Sequence, residues 1–243
     1  MGKEGHRHVA GRAVCKVTRR AYPPPCLVVL RTDVKGNERN GALQTIVHGK
    51  VGVKLWLLAI PSVDVLRPGV CPVCGQAGCP TGGDLGIVGH GLRERQFRGP
   101  PGPGQVPRVV LLHIRRFLCK CGAVLAVVPC ETIPRRLYTS SAVGWALALF
   151  GVQRLSAVEV RRQTSPSGII GAGGITDWPT LRRWIRAIRT GTLLCGLRAS
   201  PSEFTARQSA ERAALGLASL GPPPSGEASV ATRSFHGAVL AMR

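Results

Sequence analysis

Two short cysteine pairs, each followed by glycine, place the strongest constraint on the fold of this chain. The first pair is Cys71 and Cys74, and the second is Cys119 and Cys121. Two thiolates separated by one or two residues can point at one ion, and two such corners separated by a hairpin are the sequence pattern of a zinc ribbon. Four thiolates leave no open coordination position. We therefore expect one structural Zn²⁺ per chain, which stabilises the fold and catalyses nothing.

The ligand set of this predicted site has alternatives. The spacing of Cys119 and Cys121 is one residue shorter than usual, so another residue could replace one ligand. Four residues lie near enough in sequence to do so: Cys79, His90, His113 and Cys130. For each of these taken alone, a packing or surface role is the simpler interpretation. The competing interpretation of the two pairs is that they are ordinary buried thiols.

Positive charge is the second constraint. The chain has 33 Lys and Arg residues against 12 Asp and Glu residues, a net charge of +21. This excess favours a polyanionic partner, because each cation docked on a phosphate releases a condensed counterion. Nucleic acid is the first expectation, and an anionic membrane surface is the second. No segment approaches the roughly 18 to 20 apolar residues that span a bilayer, so we expect no membrane partner and a cytoplasmic, nucleoid-associated protein.

The sequence predicts an α+β chain with four parts. Residues 1–50 are expected to form a disordered or weakly ordered leader, with a possible strand at 26–31. A small zinc-ribbon β-hairpin domain is expected over 51–133, and a three-helix, helix-turn-helix-like domain over 134–191. The remaining residues, 192–243, hold a possible helix at 202–220 and a disordered tail, so both termini are expected to be poorly ordered.

Three or four strands are expected in the ribbon part. Runs 85–98 and 108–118 predict the two arms of the hairpin, because the Gly/Pro cluster at 99–104 cannot continue a central strand. The run 123–128 could add a further strand. The apolar stretch 54–65, which is interrupted by a proline, is consistent with a strand that precedes the first cysteine pair.

Helix-start signals divide the next part into three predicted helices. The first helix has an i, i+4, i+7 apolar set, the second covers about 157–163, and the third ends near residue 191. A proline stands in the first turn of the third helix, where its missing N–H costs nothing. The predicted caps are, in order, Ser140 or Ser141, then Ser156 with Glu159 as a capping box, then Thr176 or Asp177.

The third predicted helix is amphipathic and basic. Its apolar stripe would dock on a core, while four arginines face outward: Arg182, Arg183, Arg186 and Arg189. In a helix-turn-helix domain such a helix lies in the major groove of duplex DNA. Two sets of arginines could extend this surface, namely Arg161 and Arg162 on the second helix, and Arg93, Arg95, Arg115 and Arg116 on the hairpin arms. The competing interpretation is a solvated basic face with no partner.

Four features in order resemble the N-terminal, DNA-binding portion of bacterial insertion-sequence transposases and their stand-alone relatives. They are Cys71-Pro-Val-Cys74-Gly75, then Gly89-His90-Gly91 with Arg93 and Arg95, then Ile114-Arg-Arg-Phe-Leu-Cys119 leading to Cys121-Gly122 and Pro129, then Pro134-Arg-Arg-Leu-Tyr138. The resemblance covers the stretch from about Leu66 to Trp184, which is roughly half of the chain. The resemblance implies a module that recognises the ends of a mobile element, with duplex DNA as partner and a transposase catalytic subunit or self-association as further partners.

The sequence departs from that family in two ways: the second cysteine pair is short, and no catalytic domain follows. The common type of transposase holds two metal ions with three carboxylates on a sheet, in a domain on the order of 150 residues. Beyond Glu131 the chain offers only Glu159, Asp177, Glu203, Glu211 and Glu227. We therefore expect a sequence-specific DNA-binding protein that is not an enzyme and has no small-molecule substrate. The alternatives are an RNA-binding or ribosome-associated zinc-ribbon protein, and the N-terminal fragment of a split transposase.

Overall fold

A computed structural model describes residues 44–166, 177–221 and 228–242. The N-terminal part of the described chain contains a four-stranded sheet. Its strands are β1 (Gln44–His48), β2 (Ile87–Gly99), β3 (Arg108–Cys119) and β4 (Val124–Val128), and their order in the sheet is β1-β4-β3-β2. Strands β2 and β3 form a long antiparallel hairpin, β4 is antiparallel to β3, and β1 is parallel to β4.

The structure confirms the predicted hairpin and the predicted additional strand, and the ends of these strands lie within one or two residues of the expected ones. The glycine-rich and proline-rich turn falls between β2 and β3, where Gly99 and Gly104 both have positive φ, a backbone conformation that side chains disfavour. The pairing of β2 with β3 shifts register between Gly89 and Leu92, which marks a bulge in the first arm. These local turn signals are the reason that the sequence predicts this part of the fold well.

Two short helices, α1 (Val53–Leu58) and α2 (Val63–Leu66), replace the strand that the stretch 54–65 indicated. Trp56 is buried, and its indole N–H donates to the carbonyl of His113 on β3 at 3.0 Å. In α1 only this large ring is buried, whereas Leu55 and Leu58 are exposed. This pattern is typical of a short helix that packs one side chain against a sheet, and not of a strand paired within it. The expectation of a strand here is therefore corrected.

The outer strand β1 lies at the end of the predicted leader. It completes the sheet through parallel pairing with β4, from Gln44 opposite Val124 to His48 opposite Val128. Pairing between strands so distant in sequence leaves no local signal, since it depends on the rest of the sheet being formed. The possible strand at 26–31 lies outside the described residues.

The rest of the described chain is helical: α3 (Ser140–Gly151), α4 (Ala157–Thr164), α5 (Pro179–Arg189), α6 (Ala206–Leu220) and α7 (Val230–Leu240). The predicted Ser156 cap of α4 is confirmed, since its hydroxyl accepts from the amide of Glu159. Helix α3 begins one residue earlier than expected and is capped by Thr139. Helix α5 has Trp178 at its N-cap and no capping side chain, so the expected Asp177 cap is corrected; Thr176 lies outside the described residues.

The helical part extends beyond the three predicted helices. Helix α3 is buried along most of its length, and α6 and α7 pack against it. Helix α6 agrees with the possible helix at 202–220, whereas α7 occupies residues expected to form a tail without structure. Small residues explain the difference, because Gly144 on α3 and Gly237 on α7 allow close helix contact without the periodic large apolar residues that mark a packed helix.

The connection between α4 and α5 is long. A helix-turn-helix motif joins its two helices by a turn of about three or four residues, whereas residues 165–178 separate α4 from α5. The observed architecture is thus a mixed α+β fold with a four-stranded sheet and, in the described part of the chain, seven helices. Among those helices, none has the length and apolar character needed to cross a membrane.

The sheet and the helices are joined at one end of β2. The Arg98 amide donates to the carbonyl of Leu137 at 2.8 Å. Beyond this junction the ring of Tyr138 packs edge-on against Trp178 and Trp184, and its hydroxyl lies 2.7 Å from that of Ser165. These contacts bind the start of the helical part to both α5 and the end of α4.

Candidate metal centre and basic surfaces

The four predicted cysteine ligands meet at the base of the hairpin. The Sγ atoms of Cys71, Cys74, Cys119 and Cys121 all lie within 4.8 Å of one another. The shortest separations are 3.6 Å between Cys74 and Cys119 and 3.9 Å between Cys71 and Cys121. A tetrahedral Zn²⁺ with Zn–S bonds of about 2.3 Å separates its sulfurs by about 3.8 Å. The arrangement fits a metal ion, and the separations are far too long for disulfides of about 2.05 Å.

Two glycine-containing turns aim these thiols at a common point. The amide of Gly75 donates to the carbonyl of Cys71 at 2.9 Å, and the amide of Gly122 donates to that of Cys119 at the same distance. Both glycines have positive φ, which turns the chain back immediately after each pair. Cys119 is the last residue of β3 and Cys121 lies in the turn to β4, so the short spacing is accommodated by the strand end itself.

The thiols differ in how readily they lose a proton. Burial raises the pKa of Cys119 to about 12, while donation from the backbone amide of Ala123 lowers the pKa of Cys121 to about 7. Metal binding deprotonates all of its thiol ligands, so a bound ion would offset the cost of ionising the buried one. Cys71 and Cys119 are buried and Cys74 and Cys121 are exposed, which places the cluster at the surface with one closed side.

The alternative ligands lie outside this cluster. In the described part of the chain, the four thiols form the one group of three or more His, Cys, Asp or Glu side chains close enough to hold an ion. The thiol of Cys79 accepts from the guanidinium of Arg67 at 3.5 Å, and the imidazole of His113 lies 3.3 Å from the carboxylate of Glu94. Neither His90 nor Cys130 joins the cluster.

Three of the predicted DNA-contacting arginines share the outer face of α5. Arg182, Arg183 and Arg186 are exposed, while the opposite face, formed by Leu181, Trp184, Ile185 and Ile188, is buried in the helical core. Arg182 forms an ion pair with Asp177 at 3.1 Å. No described residue accepts a hydrogen bond from the guanidinium groups of Arg183 and Arg186, so these two are available to a partner.

Other predicted arginines make contacts within the chain. Arg189 donates to the carbonyls of Ser202 and Phe204, and so fixes the segment that leads to α6. Arg115 donates to the carbonyl of Pro61, and Arg162 pairs with Glu159. Arg161 is partly buried on α4. Sequence pattern places these residues on polar faces, but it carries no information about which backbone carbonyls reach them.

The remaining predicted arginines lie on the two strands of the hairpin, β2 and β3. Arg95 is half-buried and donates to the carbonyls of Ile133 and Arg136, both at 3.3 Å. Arg93 donates to the side chain of Gln44 at 3.0 Å, and Arg116 is half-buried on β3 with an unpartnered Nε. Because Arg95 bridges the sheet to the segment before α3, its first role is structural.

No protein-family model, curated protein or solved structure matches the chain. Among the described residues, three features are chemically distinctive: a four-thiol cluster, an outward basic helix face and a basic sheet face.

Proposed function

We propose that the chain is a zinc-stabilised, sequence-specific duplex DNA-binding protein, transposase-like and without its own catalytic domain. The observation that carries the proposal is the outer face of α5, where Arg183 and Arg186 are exposed and have no partner among the described residues. Guanidinium groups can clamp phosphates and read guanine edges in the major groove. The net charge of +21 supplies the long-range attraction.

Helix α5 suits this role because it is rigidly held. Trp184 on its inner face is 1% exposed and packs edge-on against Trp178 and Tyr138. The guanidinium of Arg189 binds the last turn to the segment that begins α6. A helix fixed at both ends presents its outer arginines at constant spacing, which lowers the entropic cost of docking on DNA.

Zinc is proposed as the ion because four thiolates in a near-tetrahedral cluster favour it. The ion would close the base of the hairpin by connecting the turn at Cys71 to the end of β3 at Cys119. Four thiolate ligands leave the ion no open coordination position, so we assign the metal to the stability of the fold and not to DNA contact.

Burial of the tryptophans supports duplex over single-strand recognition. All four Trp residues of the chain, Trp56, Trp145, Trp178 and Trp184, are at most 7% exposed. Proteins that bind single-stranded DNA or RNA stack unpaired bases on exposed aromatic rings or arginine planes. With every Trp buried, no tryptophan ring is exposed to stack on an unpaired base.

Replacing Arg183 and Arg186 together by alanine tests the interface. We expect duplex affinity to fall at least about tenfold, and the slope of log K against log salt to become less steep by about two, because each phosphate contact contributes about 0.9. Fluorescence anisotropy with a labelled duplex over a salt series measures both quantities. Both residues are exposed, so the melting temperature should not change.

The matched control replaces two exposed arginines elsewhere, Arg108 and Arg198, which removes the same charge from other surfaces. We expect this variant to lose much less affinity than the α5 variant. Equal losses in the two variants would mean that bulk charge, and not the α5 face, binds DNA.

A further inference from the structure

A cleft of about 510 Å³ lies over one face of the sheet. Cross-strand pairs identify that face, because Ile46 is paired with Ala126 on β4, and Arg93 on β2 is paired with Ile114 on β3. Paired residues project to the same side of a sheet. The opposite side is covered by α1 and α2, so the cleft occupies the side that these helices leave open.

The lining of the cleft combines an apolar surface with a basic border. The apolar part comes from three strands: Ile46, Ile114, Ala126 and Val128. The border is formed by Gln44, Arg93, Arg95, Arg135 and Arg136. Four arginines therefore border one concavity, two from β2 and two from the segment before α3. Arg135 and Arg136 follow Pro134 in sequence, and only the junction between sheet and helices brings them beside β2.

Few anionic groups offset this charge. Glu94 also borders the cleft, but it alternates with Arg93 and Arg95 along β2 and its carboxylate lies 3.3 Å from the imidazole of His113. Burial lowers the pKa of Arg95, and the charge of Arg93 lowers it further. Burial also lowers the pKa of Arg136, whose guanidinium has no acceptor among the described residues. A bound anion would offset both the desolvation and the mutual repulsion of these cations.

We propose that this cleft binds a phosphate ester of nucleotide size. Guanidinium groups bind phosphate oxygens in bidentate fashion, which assigns Arg93 and Arg136 to the phosphate. The apolar lining assigns the organic part of the ligand to the half-buried Ile46, which lies beside a buried floor of Ile114, Ala126 and Val128. The volume lies within the range of about 300 to 1,000 Å³ that is typical of small-ligand sites. This site is distinct from the α5 face and goes beyond the proposed duplex binding.

Two kinds of ligand carry such a phosphate ester: a free nucleotide and the phosphorylated end of a nucleic-acid strand. Calorimetric titration of the full, zinc-loaded chain uses AMP, adenosine and inorganic phosphate as probes. Two short oligonucleotides of one sequence, with and without a 5′-phosphate, form the second arm. We expect one AMP site per chain, with adenosine and inorganic phosphate each at least about tenfold weaker. Tighter binding of the 5′-phosphorylated oligonucleotide than of its unphosphorylated twin indicates the strand end, whereas equal affinity of the two oligonucleotides, with AMP bound, indicates the free nucleotide.

Two single variants test whether AMP binds in this cleft. Arg136→Gln and, separately, Arg93→Gln should each weaken AMP at least about tenfold, because each removes a charge-assisted hydrogen bond. Arg108→Gln is the matched control, since it removes an exposed arginine from the far end of the same hairpin and should leave AMP affinity within about twofold. The double α5 variant, Arg183→Ala with Arg186→Ala, should leave AMP binding unchanged, which separates this site from the duplex interface.

The proposal would be overturned by adenosine binding as tightly as AMP, since the phosphate would then contribute nothing. Inorganic phosphate binding as tightly as AMP would likewise remove the role of the apolar lining. Unchanged AMP affinity in folded Arg93→Gln and Arg136→Gln chains would place any binding elsewhere.

Discussion

We expect Cys119→Ala to lower the bound zinc from about one per chain to less than about 0.2, and to lower the melting temperature by more than about 10 °C. Cys119 is 2% exposed, ends β3 and is paired with Ile87 across the hairpin. Loss of its thiolate removes both a metal ligand and the tether between the hairpin and the turn at Cys71. Metal analysis by mass spectrometry and a thermal melt of the same sample measure the two effects.

Cys195→Ala is the matched control for this prediction. Cys195 is an exposed free thiol outside the four-thiol cluster, so its replacement should change neither zinc content nor melting temperature. Full zinc occupancy in the Cys119→Ala chain would show that this thiol is not a ligand. A melting temperature that did not fall despite zinc loss would show that the metal does not stabilise the sheet.

Gly237→Ala should decrease the free energy of unfolding by about 3 kcal/mol or more. Gly237 lies inside α7, where an added Cβ atom would stand 1.8 Å from the carbonyl oxygen of Leu217 on α6. The obstructing atom belongs to the backbone, so relief requires the two helices to move apart. Urea unfolding of the wild type and the variant, compared at constant m-value, gives the difference.

Gly216→Ala is the same change in the neighbouring helix α6 and should have the opposite sign. Its added Cβ would meet the end of the flexible Leu197 side chain at 3.1 Å, which can move aside. Replacing glycine by alanine within a helix gains about 0.5 to 1 kcal/mol in helix propensity. If Gly237→Ala proved as well tolerated as Gly216→Ala, α7 would not be packed against α6 as described.

Local signals account for what the sequence predicts correctly. The spacing of the cysteines and their glycines brings Cys71, Cys74, Cys119 and Cys121 together, and the turn at 99–104 predicts the hairpin. The amphipathic pattern of α5 predicts its buried face. The spacing within each cysteine pair, the turn and the amphipathic pattern each involve only a few neighbouring residues, where conformational preference and periodicity act directly. The hairpin between the two cysteine pairs then brings them together.

Features that depend on distant parts of the chain were not predictable in this way. The parallel pairing of β1 with β4 joins segments far apart in sequence. Helix α7 packs through Gly237 and small neighbouring residues, so it lacks the periodic large apolar residues by which a packed helix is recognised in a sequence. The roles of Arg95 and Arg189 are decided by carbonyl groups that only the folded chain brings within reach. In the same way, the convergence of Arg93 and Arg136 on one cleft is a property of the junction between sheet and helices.

The class of nucleic acid that the chain prefers is the most direct test of the proposed function. Anisotropy competition on the zinc-loaded full chain, at a fixed salt concentration, compares one labelled DNA duplex with its single strand and with an RNA hairpin of matched length. We predict that the duplex binds at least about tenfold more tightly than either competitor, and that its affinity depends on Arg183 and Arg186. Tighter binding of the RNA hairpin or the single strand, or no binding of any of the three, would contradict the account.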